Sequence, residues 1–169
     1  AMQHQRSLDW KQLSGLPIFE NVSEKLTKHA YAHHIERLML LGNFFFLAET
    51  HPDEVYRFFM TYFIDAYDWV MVPNVIGMAV HADGGKLMTK PYASGGAYLN
   101  RMTQHCKPCV YDPTKRVGAD ACPFTTLYWD FLDRHKDTFV KNHRMSQQVF
   151  GLKRLSDLPE LKQRAQEVL

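Results

Sequence analysis

The chain has 169 residues, 46% of them hydrophobic, with 20 Lys and Arg against 18 Asp and Glu and a formal charge of +2. That length can bury one substantial core but does not promise two domains. A balance so near neutral excludes a uniformly basic nucleic-acid binder, so any polyanion contact must come from local clustering.

No apolar run approaches the roughly 20 residues a membrane span needs, since Leu38–Leu41 and Phe44–Ala48 are separated by Gly42 and Asn43. The sequence therefore predicts a soluble protein without a membrane partner; a monomer is expected. Ala1-Met2-Gln3-His4 lacks the apolar stretch of a secretory signal, and Ala1 ahead of Met2 reads as a processing remnant. A cytoplasmic, reducing location is expected, in which the three cysteines are not disulfide partners.

In chain order, Ser23 predicts a cap for a helix from Glu24 to about Ala48, with Leu26, Ala30, Leu38, Leu41 and Phe45 near helical spacing. Thr50 with Asp53, and Pro52 between them, announces a second helix whose aromatic stripe includes Phe59, Tyr62, Phe63 and Trp69, ending near Pro73. Such a stripe is more often core than an electron route or flavin wall. From Pro73 to Gly96 the density of glycine and proline predicts an irregular, ordered loop. Ser94 can start a short helix through Met102, Pro123 another through about Arg134, and 155–169 reads as an amphipathic ending. No alternating strand pattern is present, so the expected class is all-α, a single helical domain over 1–169.

Two clusters look chemical. Cys106-Lys-Pro-Cys109, followed by Cys122-Pro123, has the two-residue gap and the Cys-Pro step of iron–sulfur ligands. Zinc is the rival, with His105 or His135 completing a Cys3His set; unligated thiols are the third reading. His33-His34-Ile-Glu-Arg37 puts two imidazoles and a guanidinium on adjacent faces of one turn, which suits proton transfer to a bound anionic ligand, although a helix histidine is more often a packing residue. Lys86, Lys90 and Arg101, beside Tyr92 and Tyr98, could contact phosphates and stack bases.

Ala30-Tyr-Ala-His33-His34-Ile-Glu-Arg37-Leu-Met39, Asp65-Ala-Tyr-Asp-Trp69-Val, Pro73-Asn74-Val-Ile-Gly77-Met78 and Lys90-Pro-Tyr92-Ala-Ser-Gly resemble one family. So do Tyr98-Leu-Asn-Arg-Met102, Cys106-x-x-Cys109-x-Tyr111 and Ala121-Cys122-Pro-Phe-Thr-Thr-Leu-Tyr128-Trp129. That family is the deoxyribodipyrimidine photolyase-related proteins: bacterial (6-4) photolyases and cryptochrome-like relatives that carry a four-iron cluster. The blocks stand in the family's order over about residues 29–132.

The resemblance implies the C-terminal helical FAD-binding region of a photolyase/cryptochrome fold with long Gly-rich loops, beside a 4Fe-4S cluster held by four cysteines. Cys106, Cys109 and Cys122 match three of them. It further implies a carbon–carbon lyase acting on UV-damaged DNA, in which light-excited, reduced FAD gives an electron to a flipped-out (6-4) lesion while a histidine supplies a proton. On this reading His34 is the proton donor, with His33 beside it, and Arg37 holds the lesion or its phosphate. Trp69, Asn74, Met78, Lys90 and Tyr92 would line or support the flavin side, and Lys86, Tyr98 and Arg101 would join Arg37 against DNA.

The chain also departs from the family. The family's α/β antenna-binding domain and the upstream helices that complete the FAD site are not represented, so an antenna chromophore would need that absent domain. Residues 1–22 match poorly, with a junction expected near Phe19-Glu20. The fourth cluster cysteine falls where the chain has Leu16-Pro-Ile18-Phe19. Phe58-Phe59 replaces a Trp-Tyr pair that passes electrons to flavin, and phenylalanine is too hard to oxidise for that role. Three functional readings follow: a part of a (6-4) photolyase inactive alone, a cryptochrome-like photoreceptor, and a cofactor-free or zinc-holding module without enzymatic activity.

Overall fold

The computed structural model describes Ser7 and residues 15–169. Most of the poorly matched stretch 1–22, and the reading of Ala1-Met2 as a remnant, lie outside the described residues. The chain gathers into two compact units, Ala1–Ala93 and Ser94–Leu169. Both are helical, with no strand among the described residues, as expected of an all-α protein. No described helix is long and apolar enough to cross a membrane.

The first unit opens with α1, Pro17–His29, which crosses the expected junction at Phe19-Glu20 without a break. Pro17 fixes the first turn, and Lys28 and His29 stand favourably at the negative end of the helix dipole. The helix predicted from Ser23 thus starts at Pro17, after an extended Leu16, because a proline in the first turn and a buried Phe19, Val22 and Leu26 outweigh a serine cap. Nor does it run on to Ala48. Ala30 adopts left-handed backbone (φ 49°), and its N–H closes back on the Leu26 carbonyl at 2.9 Å, which terminates the helix.

The chain resumes as π1, Glu36–Gly42, and continues into α2, Asn43–Leu47. Every residue from Leu38 to Ala48 is buried, so this is the central rod of the unit. Then α3, Pro52–Tyr62, is capped by the His51 ring, whose Nδ1 accepts from the Asp53 N–H at 3.3 Å; Thr50, the expected cap, is buried one residue earlier. Phe45, Phe58, Phe59 and Phe63 interlock, with Phe45 edge-on to Phe58 at 5.2 Å and Phe59 stacked on Phe63 at 5.1 Å. Such aromatic burial dominates core energetics.

The second predicted helix does not reach Pro73. It ends at Tyr62, and a turn leads to α4, Asp68–Met71, and π2, Val72–Ala79. Pro73 does not stop the helix. It sits where bonding widens to the i→i+5 pattern, so its missing N–H costs little. The Gly-rich loop is correspondingly shorter than expected and follows Val80. Where π1 crosses π2, a Cβ on Gly42 would lie 2.8 Å from the Ala79 Cβ and 3.1 Å from the Arg37 carbonyl, so only glycine permits the approach.

In the second unit, α5 (Gly96–Met102), α7 (Lys136–Phe139), α8 (Ser146–Leu152) and α9 (Leu158–Val168) pack around α6 (Pro123–Arg134). The predicted bounds of α6 hold, since Pro123 stands in its first turn and Arg134 in its last. Its Phe124, Leu127, Phe131 and Leu132 form the core. The pieces α7 and α8 were not anticipated, being too short for periodicity to mark.

Candidate functional site

In the first unit, the break after α1 shapes the His-His turn. The Ala30 carbonyl accepts from the Ile64 N–H at 2.8 Å, which ties the turn to the segment after α3. The Glu36 carboxylate accepts from the His33 N–H at 2.9 Å, while His33 Nδ1 accepts from the Ile35 N–H at 3.2 Å, so His33 and Glu36 cap the start of π1. Lys25 Nζ lies 2.5 Å from Glu36 Oε1. Burial works to raise the Glu36 carboxyl, but the Lys25 ammonium and the His33 N–H hold it below the ordinary carboxylate range.

Arg37 is fully engaged inside the unit. Its Nε donates to the Ala32 carbonyl at 2.7 Å, and its two terminal nitrogens grip Asp65 at 2.9 and 3.0 Å. The guanidinium is flanked by the rings of Tyr31 and Phe63, 4.8 and 4.4 Å to their centroids, and the side chain is only 12% exposed. This bidentate, sandwiched geometry is the strong form of an arginine contact. His34, by contrast, is exposed.

His34 and Arg37 meet at a small, open pocket whose remaining walls are Leu38, Phe59, Val70, Met71, Asn74, Val75 and Ala79. It is an apolar, solvent-open cleft lined by one amide, one imidazole and one guanidinium. Asn74 Nδ2 donates to the Val70 carbonyl at 2.8 Å, which leaves the amide oxygen to accept.

Of the residues the sequence pointed to on the flavin side, this pocket includes Asn74 alone. Trp69 is 78% exposed, Lys90 is exposed, and Met78 and Tyr92 are half-buried. Lys86 is exposed in the first unit, Arg101 is exposed and Tyr98 half-buried in the second. Sequence reasoning missed the pocket walls on α4 and π2 and the Asp65 grip on Arg37, although Asp65 begins one of the family-like blocks.

The cysteines belong to the second unit. Cys122 is buried at the head of α6, with its carbonyl accepting from the Thr125 and Thr126 N–H groups and its own N–H donating to the Asp112 carbonyl at 3.2 Å. Burial pushes its thiol up, against the pull of the Thr125 and Phe124 N–H groups. Cys106 and Cys109 are half-buried on the loop and joined by a turn, the Cys109 N–H lying 3.3 Å from the Cys106 carbonyl. Burial also raises Cys106, and the neighbouring charges of Cys122 and Cys109 raise it further, so the three thiols are near enough to repel one another when ionised. Among the described residues, no group of three His, Cys, Asp or Glu is arranged to hold a metal ion. Three thiols do not complete a four-cysteine cluster. His135 is half-buried and packs on Phe131, ring centroids 4.7 Å apart.

No family model matches the sequence. Over 148 residues, 88% of the chain, it is 47% identical to a (6-4) photolyase of Agrobacterium fabrum. The chain belongs to the photolyase-related family. It spans 29% of that photolyase's length. It is also 35% identical, over 101 residues and 60% of the chain, to an uncharacterized protein of Acanthamoeba polyphaga mimivirus, of which it covers 75%. The His-His turn, Asp65, the pocket walls and the three cysteines are thus parts of a photolyase-related chain.

Proposed function

We propose that this chain is part of a light-driven, FAD-dependent protein that repairs UV (6-4) photoproducts in DNA, and that the pocket beneath His34 is where its flavin and lesion chemistry meet. The observation that supports the reading is the joining of His34 and Arg37, from one family-like block, with Asn74, from another, on one apolar pocket. The walls are mostly apolar, and the Asn74 amide oxygen offers an acceptor. Bound, reduced and light-excited, FAD would supply the electron that opens the lesion. The chain's residues would do the rest. His34, exposed at the rim, is free to hold and deliver a proton, a task imidazole suits near neutral pH. Arg37 acts through its grip on Asp65, fixing the turn that carries His34 while its charge stands at the pocket edge. Trp69, Met78, Lys90 and Tyr92 remain proposed contacts for the remainder of the cofactor, and Lys86, Tyr98 and Arg101 for DNA.

Cys106, Cys109 and Cys122 are proposed as three ligands of a four-iron cluster, which needs a fourth donor that the chain's cysteines do not supply. No step of the repair is assigned to it. A second reading, a stand-alone helical module without catalytic activity, draws support from the mimivirus relative, three quarters of which this chain covers.

Anaerobic titration with FAD, followed by binding of duplexes with and without one (6-4) lesion, separates the two. The repair reading expects flavin absorption to track the protein, and a preference for the damaged duplex that His34→Ala weakens. A chain that binds neither flavin nor the lesion preferentially belongs to the second reading.

A further inference from the structure

The formal charge of +2 hides a segregation. Residues 134–154 hold six of the chain's 20 Lys and Arg but one of its 18 Asp and Glu, so the remainder is net negative. All six cations are exposed. Arg134 and Lys136 are spoken for by Asp130 at 2.8 Å and Asp133 at 3.3 Å. Lys141, Arg144, Lys153 and Arg154 have no ion pair among the described residues.

The fold turns these four outward. Phe139, Met145, Val149 and Leu152 of α7, α8 and the turn between them are buried, which fastens the apolar side of the hairpin to α6. The turn itself is held by Asn142, whose carbonyl accepts from the Met145 and Ser146 N–H groups at 2.9 Å and whose side-chain oxygen accepts from the Arg144 N–H at 3.0 Å. On the opposite side Phe150 is 52% exposed, with Lys153 Nζ 5.6 Å above its ring. Exposed cations without ion pairs, on turns flanking short helices held to a core and with one beside an exposed ring, suit contact with a phosphate backbone.

We propose that the outer face of α7, α8 and the following turn is a duplex-DNA backbone surface, formed by Lys141, Arg144, Lys153 and Arg154 and distinct from the pocket of the first unit. The contact is independent of sequence and of damage. It rests on the DNA-repair reading only for its biological purpose.

The test is fluorescence anisotropy of the 169-residue chain with an undamaged duplex of about 20 base pairs across a salt series. Each cation–phosphate contact contributes a slope of about 0.9 in log affinity against log salt. Lys141→Ala/Arg144→Ala/Arg154→Ala should weaken binding roughly tenfold or more at low salt and lower that slope by about two to three. Circular dichroism should remain unchanged, because the three side chains are exposed. Lys28→Ala/Arg57→Ala/Lys115→Ala removes the same charge at other exposed positions and should cost much less on undamaged duplex. Equal losses from both triples, no binding to duplex, or equal binding to anionic lipid vesicles would overturn the proposal. None of these outcomes bears on the lesion preference lost with His34, so the two readings fail separately.

Discussion

In Ala1–Ala93 the candidate groups ride on helices whose regularity is broken, at left-handed Ala30, in π1 and in π2, whereas in Ser94–Leu169 two of the three thiols hang on the loop between α5 and α6. The first unit fixes its site from within: Arg37 alone is held by the Ala32 carbonyl, by Asp65 and by two rings. The second anchors Cys122 in the core but leaves Cys106 and Cys109 to a single turn. The lesson is that the pocket is organised by the chain's own packing, while two of the three thiols sit on a loop with few contacts of its own.

The sharpest way to break the comparison is to remove the packing on which the pocket rests. Phe45 is fully buried between Phe44, Phe58 and Phe59. Phe45→Ala should destabilise the first unit by about 3–5 kcal/mol. In native-state hydrogen exchange the amides of π1 and α3 should lose protection first. An unchanged pattern there would mean that the aromatic core does not set the pocket.

Next in size are the two glycines at close crossings. Gly42→Ala drives a methyl into Ala79 and the Arg37 carbonyl, and Gly96→Ala brings one within 2.7 Å of Thr125 Oγ1 and 2.8 Å of Cys122 Sγ. Each should cost about 1–3 kcal/mol in urea unfolding. Their signatures should differ: Gly42→Ala perturbs His34, and Gly96→Ala the reactivity of Cys122 toward a thiol reagent. A swap of the two signatures would refute the division of labour.

How much of this was legible in the sequence follows from the same elements. The bounds of α6 could be read because Pro123 and Arg134 mark its ends with ordinary start and stop chemistry. The break at Ala30 could not, since alanine carries none of the signal that glycine or asparagine gives for positive φ. The π turns were hidden because no residue type announces an i→i+5 bond. Trp69, placed on an aromatic stripe continuing α3, lies instead past the turn that follows Tyr62, on α4 and in solvent. His34, Arg37 and Asn74 were legible as blocks; the grip of Asp65 on Arg37, across 28 residues, is a tertiary fact.

That grip gives a smaller effect. Asp65→Asn keeps the shape and removes the charge from a partner that is half exposed, so the global cost should be about 1 kcal/mol or less. The local effect should be larger. The Arg37 side-chain nitrogens should shift in nuclear magnetic resonance spectra, and on the proposed repair reading the preference for a damaged duplex should fall with little change in flavin binding. Asp65→Glu should restore part of it.

The smallest effect tests electrostatics in both units at once. Glu36 ionises more readily in the folded unit, despite its burial, because Lys25 and the His33 N–H favour its charge. Its contribution is therefore present above the unfolded value of about 4.3 and is lost as pH falls through the lower folded value. Asp130 on α6 runs the other way: burial raises it against Arg134 and Lys162, with Asp133 adding repulsion, so its protonation relieves the second unit as pH falls. Relative to wild type, Glu36→Gln should be less stable near pH 6 and approach equality near pH 3. Asp130→Asn should show its greatest relative stability near neutral pH, less the lost hydrogen bond to Arg134. Urea unfolding at both pH values reads differences on the order of 1 kcal/mol or less. Parallel responses of the two variants would show that Glu36 and Asp130 are not tuned in opposite senses.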